Sequence, residues 1–391
     1  MVSPLNHRLR RVKKLITQIV FLVFGFWFLV SPCYPQSSKY IRVAIVQDAA
    51  SLSLKISGFY EIIDAHTQKV LYRDRNLKTT VTTYRDGIWI GKINSKTNKL
   101  FIKADDPGVI LVDDRKFRGD IELIKKDNLH LMVINHIGLE DYIKGILYHE
   151  TSHYWPMEAL KAQAIVCRTY AVYEMQENNS RDYDVTSDIY SQVYGGRTSE
   201  RYRTNTAVEE TKGQILIYQD KPIPAYYHAT CGGYTEDASL IWNIDIAPLK
   251  GRSCSFCKDS PHFNWYQVLS QDKIREALIN SGYVGFKNIK DIVILGKDNS
   301  GRIIDLKIIT DKKEIKISAK DFRNIIGPNV IKSTNFKVNL VNNDVIFEGF
   351  GWGHGVGLCQ WGSYFMAKLG YNYKQILKYY YPGSDVKTLG F

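Results

Sequence analysis

The stretch from Gly138 to Glu150 constrains this chain more than any other. Leu139, Tyr142, Ile143, Ile146 and Leu147 stand at i, i+3, i+4, i+7 and i+8, which is one apolar stripe of an amphipathic helix. The next position on that stripe, i+11, is Glu150. Burying a lone charge is costly, so a carboxylate that continues an apolar stripe is either paired in a core or held at the lip of a pocket. A second helix follows, with Pro156 suited to its first turn. Met157, Leu160, Ala164, Cys167 and Ala171 make its buried face, with Lys161 and Arg168 along one edge and Gln163 near the other. Arg168 and Lys161 are the cations expected to pair with Glu150 or to orient it.

Upstream the pattern changes period. Ile41 to Val46, Leu52 to Ile56, Gly87 to Gly91 and Leu129 to Ile134 alternate or run apolar between Gly, Asn and Asp turns, as strands do. Residues 39–135 therefore read as a β-rich module with nothing catalytic in it. Downstream, Gly213 to Tyr218, Ile292 to Leu295 and Ile303 to Thr310 read as strands. Asp272 to Ser281, Ala319 to Ile326 and Gln360 to Leu369 read as helices, and Tyr379 to Pro382 as an aromatic tail. Strands and helices intermingle without a βαβ repeat, which predicts an α+β fold: the β-rich module, then a mixed α+β domain over 136–391.

Residues 1–38 read as an export segment. Arg8, Arg10, Arg11, Lys13 and Lys14 precede a 16-residue apolar run, Leu15 to Val30, short against the roughly 20 residues of a membrane span. No A-x-A site follows, and Pro32 spoils a lipobox at Cys33. A cleaved signal peptide and an uncleaved N-terminal anchor both stay open, and both put the body outside the cytoplasm. The net charge is +12; removing the five leader cations leaves +7 for the body. A basic exported body suits an anionic surface such as cell wall or phospholipid, and export argues against nucleic acid.

Two further groups of residues carry chemistry. His228-x2-Cys231 and Cys254-x2-Cys257, twenty-two residues apart, suit a tetrahedral zinc site of three thiolates and one imidazole. Such a site would be structural, because four protein ligands leave no open position. A disulfide, Cys254–Cys257 or one of them with Cys231, is the rival in an exported protein, and free thiols are a third reading. The other group is a loop with glycines at 349, 351, 353, 355 and 357 around His354, which lets the backbone turn tightly or approach a ligand. No P-loop lysine accompanies it, so phosphate cradling is not implied.

Taken in order, Leu139 to Glu150, Trp155 to Tyr170, Ser191 to Gly196, Tyr227 to Gly233 and Gly353 to Gly362 closely resemble the motifs of the stage II sporulation protein D family. That family resembles the amidase enhancers and includes enzymes that cleave peptidoglycan glycan strands. The resemblance implies a lytic transglycosylase with Glu150 as its catalytic acid. It also implies sugar-binding roles for Arg168, Tyr170, Tyr194, His228, His354, Gln360 and Trp361, with Arg168 a candidate for the lactyl carboxylate of muramic acid. His153, Tyr154 and Trp155 are further groove candidates. Denuded glycan strands are the implied substrate and an N-acetylmuramoyl-L-alanine amidase the implied partner; a non-catalytic amidase activator is the alternative. Two departures touch substrate detail: Cys359 stands where serine is common, and Thr151-Ser-His replaces a Met-Pro run.

Overall fold

The computed structural model describes residues 40–105 and 108–390; the expected leader, 1–38, lies outside them. Among the described residues no helix is long and apolar enough to cross a membrane.

The alternation in the first hundred described residues becomes strands. These are β1 (Tyr40–Ala49), β2 (Ser51–Asp64), β3 (Val70–Tyr84), β4 (Gly87–Ile90), β5 (Ile93–Asn94), β6 (Lys99–Ala104), β7 (Val109–Val112), β8 (Arg115–Phe117), β9 (Asp120–Lys125) and β10 (Leu131–Gly138). With the short β11 (Val185–Thr186) they form a sheet in the order β11-β1-β10-β9-β6-β2-β3-β4-β5, and β7 and β8 extend from β2. Leu52, Leu54 and Ile56 on β2 all point inward, as the two-residue period requires. The β2–β3 hairpin is longer than the short strands expected.

Gly138 ends β10 and is also the N-cap of helix α1 (Leu139–Glu150), so the chain leaves the sheet and covers it without a linker. Leu139, Tyr142, Ile143, Ile146 and Leu147 are all buried, in the same core as Val43, Leu54 and Val133 of the sheet. The boundary expected between 135 and 136 thus falls within β10, and one apolar core spans it. The change of period at Gly138 marks a change of element; the sheet face needs α1 as its cover.

Helix α2 (Met157–Glu177) is buried on two sides. Leu160, Ala164, Cys167 and Ala171 face the sheet core. Ala162, Ile165 and Val166 face a second core with Ile223, Val356, Leu358, Ile376 and Tyr381. A helix apolar on both sides belongs in the interior. A third core lies between two three-stranded sheets and two helices within residues 264–350. The helices Gln271–Asn280, Ala319–Ile326 and Gln360–Lys368 stand where the periodicity put them. The first two residues of the expected aromatic tail, Tyr379 and Tyr380, instead end the helix Tyr373–Tyr380, opened by a capping box of Asn372 and Gln375. The protein is α+β with a sheet-rich N-terminal part.

Candidate active site and cysteine cluster

Glu150 ends α1 at the wall of a cleft of about 440 Å³. Its Oε1 accepts a hydrogen bond from the Val193 N–H (3.3 Å) and its backbone carbonyl accepts one from Gln360 Nε2 (3.0 Å). Burial pushes the carboxyl up to about 7, against the Tyr227 hydroxyl and the Val193 N–H, which both favour the ionised form. Tyr227 is itself held by Gln192, which reaches the Tyr142 hydroxyl of α1. Among the described residues no Lys or Arg pairs with Glu150. At neutral pH such a carboxyl is poised between its two protonation states, as a group that both gives and takes a proton must be.

Two neutral imidazoles stand in the opposite wall. The Val356 N–H donates to His354 Nδ1 (3.1 Å), so the ring proton sits on Nε2 and donates to the Tyr227 carbonyl (2.9 Å). Burial, then the Arg302 guanidinium, pushes His354 down to about 3. His228 donates from Nδ1 to the Val356 carbonyl (3.0 Å), and burial keeps it well below its usual range. Its Nε2 is buried with no partner among the described residues. An unpaired lone pair in a cleft wall can accept a hydroxyl from a bound ligand. Trp242 stacks on Tyr226 (4.3 Å between centroids) and lies 4.9 Å from His354, giving the cleft an aromatic floor. No lysine or arginine lines the cleft among the described residues.

The glycine loop makes this geometry possible. Gly353 has φ +109°, and a Cβ there would lie 2.8 Å from the His228 Cβ. Gly355 has φ +91°, and a Cβ there would lie 2.4 Å from the buried Arg302 guanidinium. Arg302 donates to the carbonyls of Tyr234 and Cys231, fastening the third core to the back of the cleft.

Of the expected sugar-binding residues, Tyr170, His228, His354 and Gln360 line the cleft with Glu150. Three do not. Arg168 is fully buried and grips Glu140 with two hydrogen bonds, 2.8 and 2.7 Å, and the carbonyls of Gln214 and Val208 with two more. With all of these partners, and absent from the cleft lining, it reaches neither Glu150 nor a lactyl group there. Lys161 is likewise taken, by Glu158 and Glu210. Tyr194 packs on Tyr142 beneath Gly145 and donates to Asn135; it is core. Trp361 joins Trp155 and Tyr364 in a neighbouring aromatic cluster, while His153 and Tyr154 pack against each other at a tilt and do not line the cleft. Tyr226 and Trp242 were unmarked beforehand, while Val193 and Trp352 line the cleft from inside the Ser191–Gly196 motif and the glycine loop without having been given a role. Tyr227 heads a motif already noted, whereas nothing in the short helix Ala238–Trp242 marks its tryptophan.

The cysteine cluster differs from expectation in one ligand. The sulfurs of Cys231, Cys254, Cys257 and Cys359 all lie within 4.8 Å of one another, and all four are buried. Cys231 and Cys257 are 3.3 Å apart, and none is in a disulfide. His228 is replaced in the set by Cys359 because the imidazole is turned to Val356. Parallel pairing of Tyr227 with Leu358 and His228 with Cys359 brings Cys359 alongside. A lone cysteine with no C-x2-C spacing gives no sign of this in the sequence.

A family model described as stage II sporulation protein matches residues 127–218, the segment that carries β10, α1 and α2. A domain of unknown function matches residues 253–357, which contain the third core and the glycine loop. Over 349 residues the chain is 32% identical to an uncharacterised protein of Brachyspira hyodysenteriae, covering 88% of this chain and 92% of that one. It is 26% identical to the amidase enhancer of Bacillus subtilis, covering 92% of this chain but 57% of the enhancer's length. It is 30% identical to stage II sporulation protein D of Bacillus subtilis, covering 65% of this chain and 75% of that protein. With that identity over three quarters of the relative, and the helix pair that ends on Glu150 inside the matched segment, the chain belongs to the stage II sporulation protein D family.

Proposed function

We propose that this protein is an exported peptidoglycan lytic transglycosylase that cleaves the β-1,4 bond between N-acetylmuramic acid and N-acetylglucosamine. A cell-wall role is supported by the family and by the relative named amidase enhancer. The observation that carries the reaction is Glu150: a carboxyl raised to about 7, without a cation partner among the described residues, at the wall of an aromatic cleft.

Glu150 donates its proton to the leaving glycosidic oxygen as the C1–O bond breaks and positive charge gathers on the muramoyl ring. The N-acetylglucosamine departs with a new hydroxyl. The muramoyl C6 hydroxyl attacks C1, its proton passes to the Glu150 carboxylate, and a 1,6-anhydro end results with no water consumed. The Val193 N–H and the Tyr227 hydroxyl steady the carboxylate between the two transfers. Gln360 holds the end of α1 so that the carboxyl stays in place.

The stacked Tyr226 and Trp242 offer sugar rings a flat apolar face. With no lysine or arginine lining it among the described residues, the cleft lacks the forks and point charges that stem peptides would need. Denuded strands are therefore the proposed substrate, with an amidase working upstream. Mass spectrometry of strands incubated with the purified protein should show anhydromuramoyl ends, formed faster on amidase-treated than on intact sacculi. The second reading, stimulation of an amidase without cleavage, is supported by the amidase enhancer relative. It predicts no such ends, and faster peptide release when an amidase is present.

A further inference from the structure

We infer that Cys231, Cys254, Cys257 and Cys359 bind one zinc ion in a closed, four-sulfur site that fastens the back of the cleft. Four sulfurs converge within 4.8 Å of one another, where a disulfide could use only two. With zinc–sulfur bonds of about 2.3 Å, the edge of a tetrahedron is about 3.8 Å. The cluster needs only small adjustments to reach that geometry, and it is too tight for a cluster of several metals. The donors are all soft sulfurs, with no carboxylate among them, which favours zinc over calcium or magnesium.

The surroundings are those of a charged thiolate. The backbone N–H groups of Cys231 and Gly362 both point at the Cys359 sulfur, each at 3.3 Å. The Tyr380 hydroxyl lies 3.2 Å from the Cys254 sulfur. Polar hydrogens aimed at the ligand sulfurs orient them and spread their charge, as the outer shell of a metal site does. A Cβ at Gly362 would collide with the Tyr380 hydroxyl that reaches the Cys254 sulfur and would sit 3.2 Å from that sulfur, so a glycine lets the helix Gln360–Lys368 pass close to the cluster.

The ion would join three segments that are distant in sequence. Cys231 lies three residues after His228. Cys254 and Cys257 open the segment that carries the third core. Cys359 is the N-cap of the helix whose first residue, Gln360, holds the Glu150 carbonyl. Four protein ligands leave no place for water or substrate, so the ion's work is structural.

The test uses the full chain purified without chelator or added reductant. Elemental analysis should find one zinc per chain, and X-ray absorption at the zinc edge should show four sulfurs and no nitrogen. His228→Gln should leave that spectrum unchanged. Cys359→Ser should lose the zinc or replace one sulfur by a lighter atom. Chelation should lower the unfolding temperature, and zinc should restore it. A zinc-free chain with Cys254 and Cys257 joined in a disulfide overturns the proposal, as does iron in place of zinc. A shell of three sulfurs and one nitrogen that changes in His228→Gln overturns the role of Cys359. Because the wild-type spectrum alone decides the ligand set, a Cys359→Ser chain that fails to fold leaves the test intact.

Discussion

At the first turn of α1, Glu140 accepts two hydrogen bonds from the Arg168 guanidinium and a third, 3.0 Å long, from the Gly213 N–H. Three turns later, Glu150 has the Val193 N–H and the Tyr227 hydroxyl and, among the described residues, no cation. The helix adds to the contrast, since its dipole favours a negative charge at the first turn and opposes one at the last. The same side chain on the same helix thus serves two ends. Burial with a matched counter-ion fastens α1 to α2, while burial without one leaves a proton that can be moved.

The largest expected effect breaks the reactive end. Glu150→Gln keeps the shape and the hydrogen bond from Val193 but cannot donate the acid proton. Turnover should fall by roughly 100- to 10,000-fold, measured as anhydromuramoyl ends by mass spectrometry, with the circular dichroism unchanged. Residual turnover above a few per cent would mean that Glu150 is not the acid.

Breaking the structural end should do the reverse. Glu140→Gln leaves a fully buried guanidinium without its carboxylate, which costs about 3–5 kcal/mol. Urea unfolding should show that loss, while kcat per folded molecule stays at the wild-type value. A drop in kcat at unchanged stability would move Glu140 to the reactive side of the comparison.

The pH dependence sharpens the contrast. Glu150 is raised from 4.5 to about 7 in the folded chain, so the folded state holds a proton that the unfolded chain releases. The associated stability is complete below about pH 4.5 and is lost as pH rises through about 7. Glu150→Gln removes this dependence. Wild type should therefore lose stability relative to the variant between pH 4.5 and 8, by at most about 3 kcal/mol and less because Glu150 is only half-buried. Turnover of the wild type should fall over the upper part of that range, where the acid is deprotonated. Parallel stability curves for the two proteins would mean that Glu150 titrates alike in the folded and the unfolded chain.

How much of this contrast was legible depends on the range of the interaction. The stripe from Leu139 to Glu150 and the turn glycines are local, so the helix and its buried face could be read directly. The partner of Arg168 could not. Its position on the edge of α2 suggested Glu150, but the crossing of the two helices brings it to the other end of α1, at Glu140. Cys359 and Trp242 likewise reach their sites by pairing and packing across more than a hundred residues. The expected boundary at 135 and 136 falls inside β10 for a related reason. A change of hydrophobic period reports where one element ends, whereas a domain ends where the core does, and here the core continues into α1.

The smallest expected effect concerns the two tryptophans, which divide on the same line between reactive and structural surroundings. Trp361 sits with Trp155 and Tyr364 outside the cleft, while Trp242 lies in it, stacked on Tyr226 and facing His354. Sequence motifs favoured Trp361 as the sugar platform; the geometry favours Trp242. Loss of one aromatic face against a sugar ring is worth about 1 kcal/mol, or roughly five-fold in binding. Trp242→Ala should therefore raise KM for denuded strands about five-fold with little change in kcat, because the stacking is present in the ground state and the transition state alike. Trp361→Ala should leave KM near wild type and instead lower the unfolding temperature, since it opens a gap among packed rings. The opposite assignment of the two effects would place the substrate against the Trp155 cluster and move the glycan path to that face of the molecule.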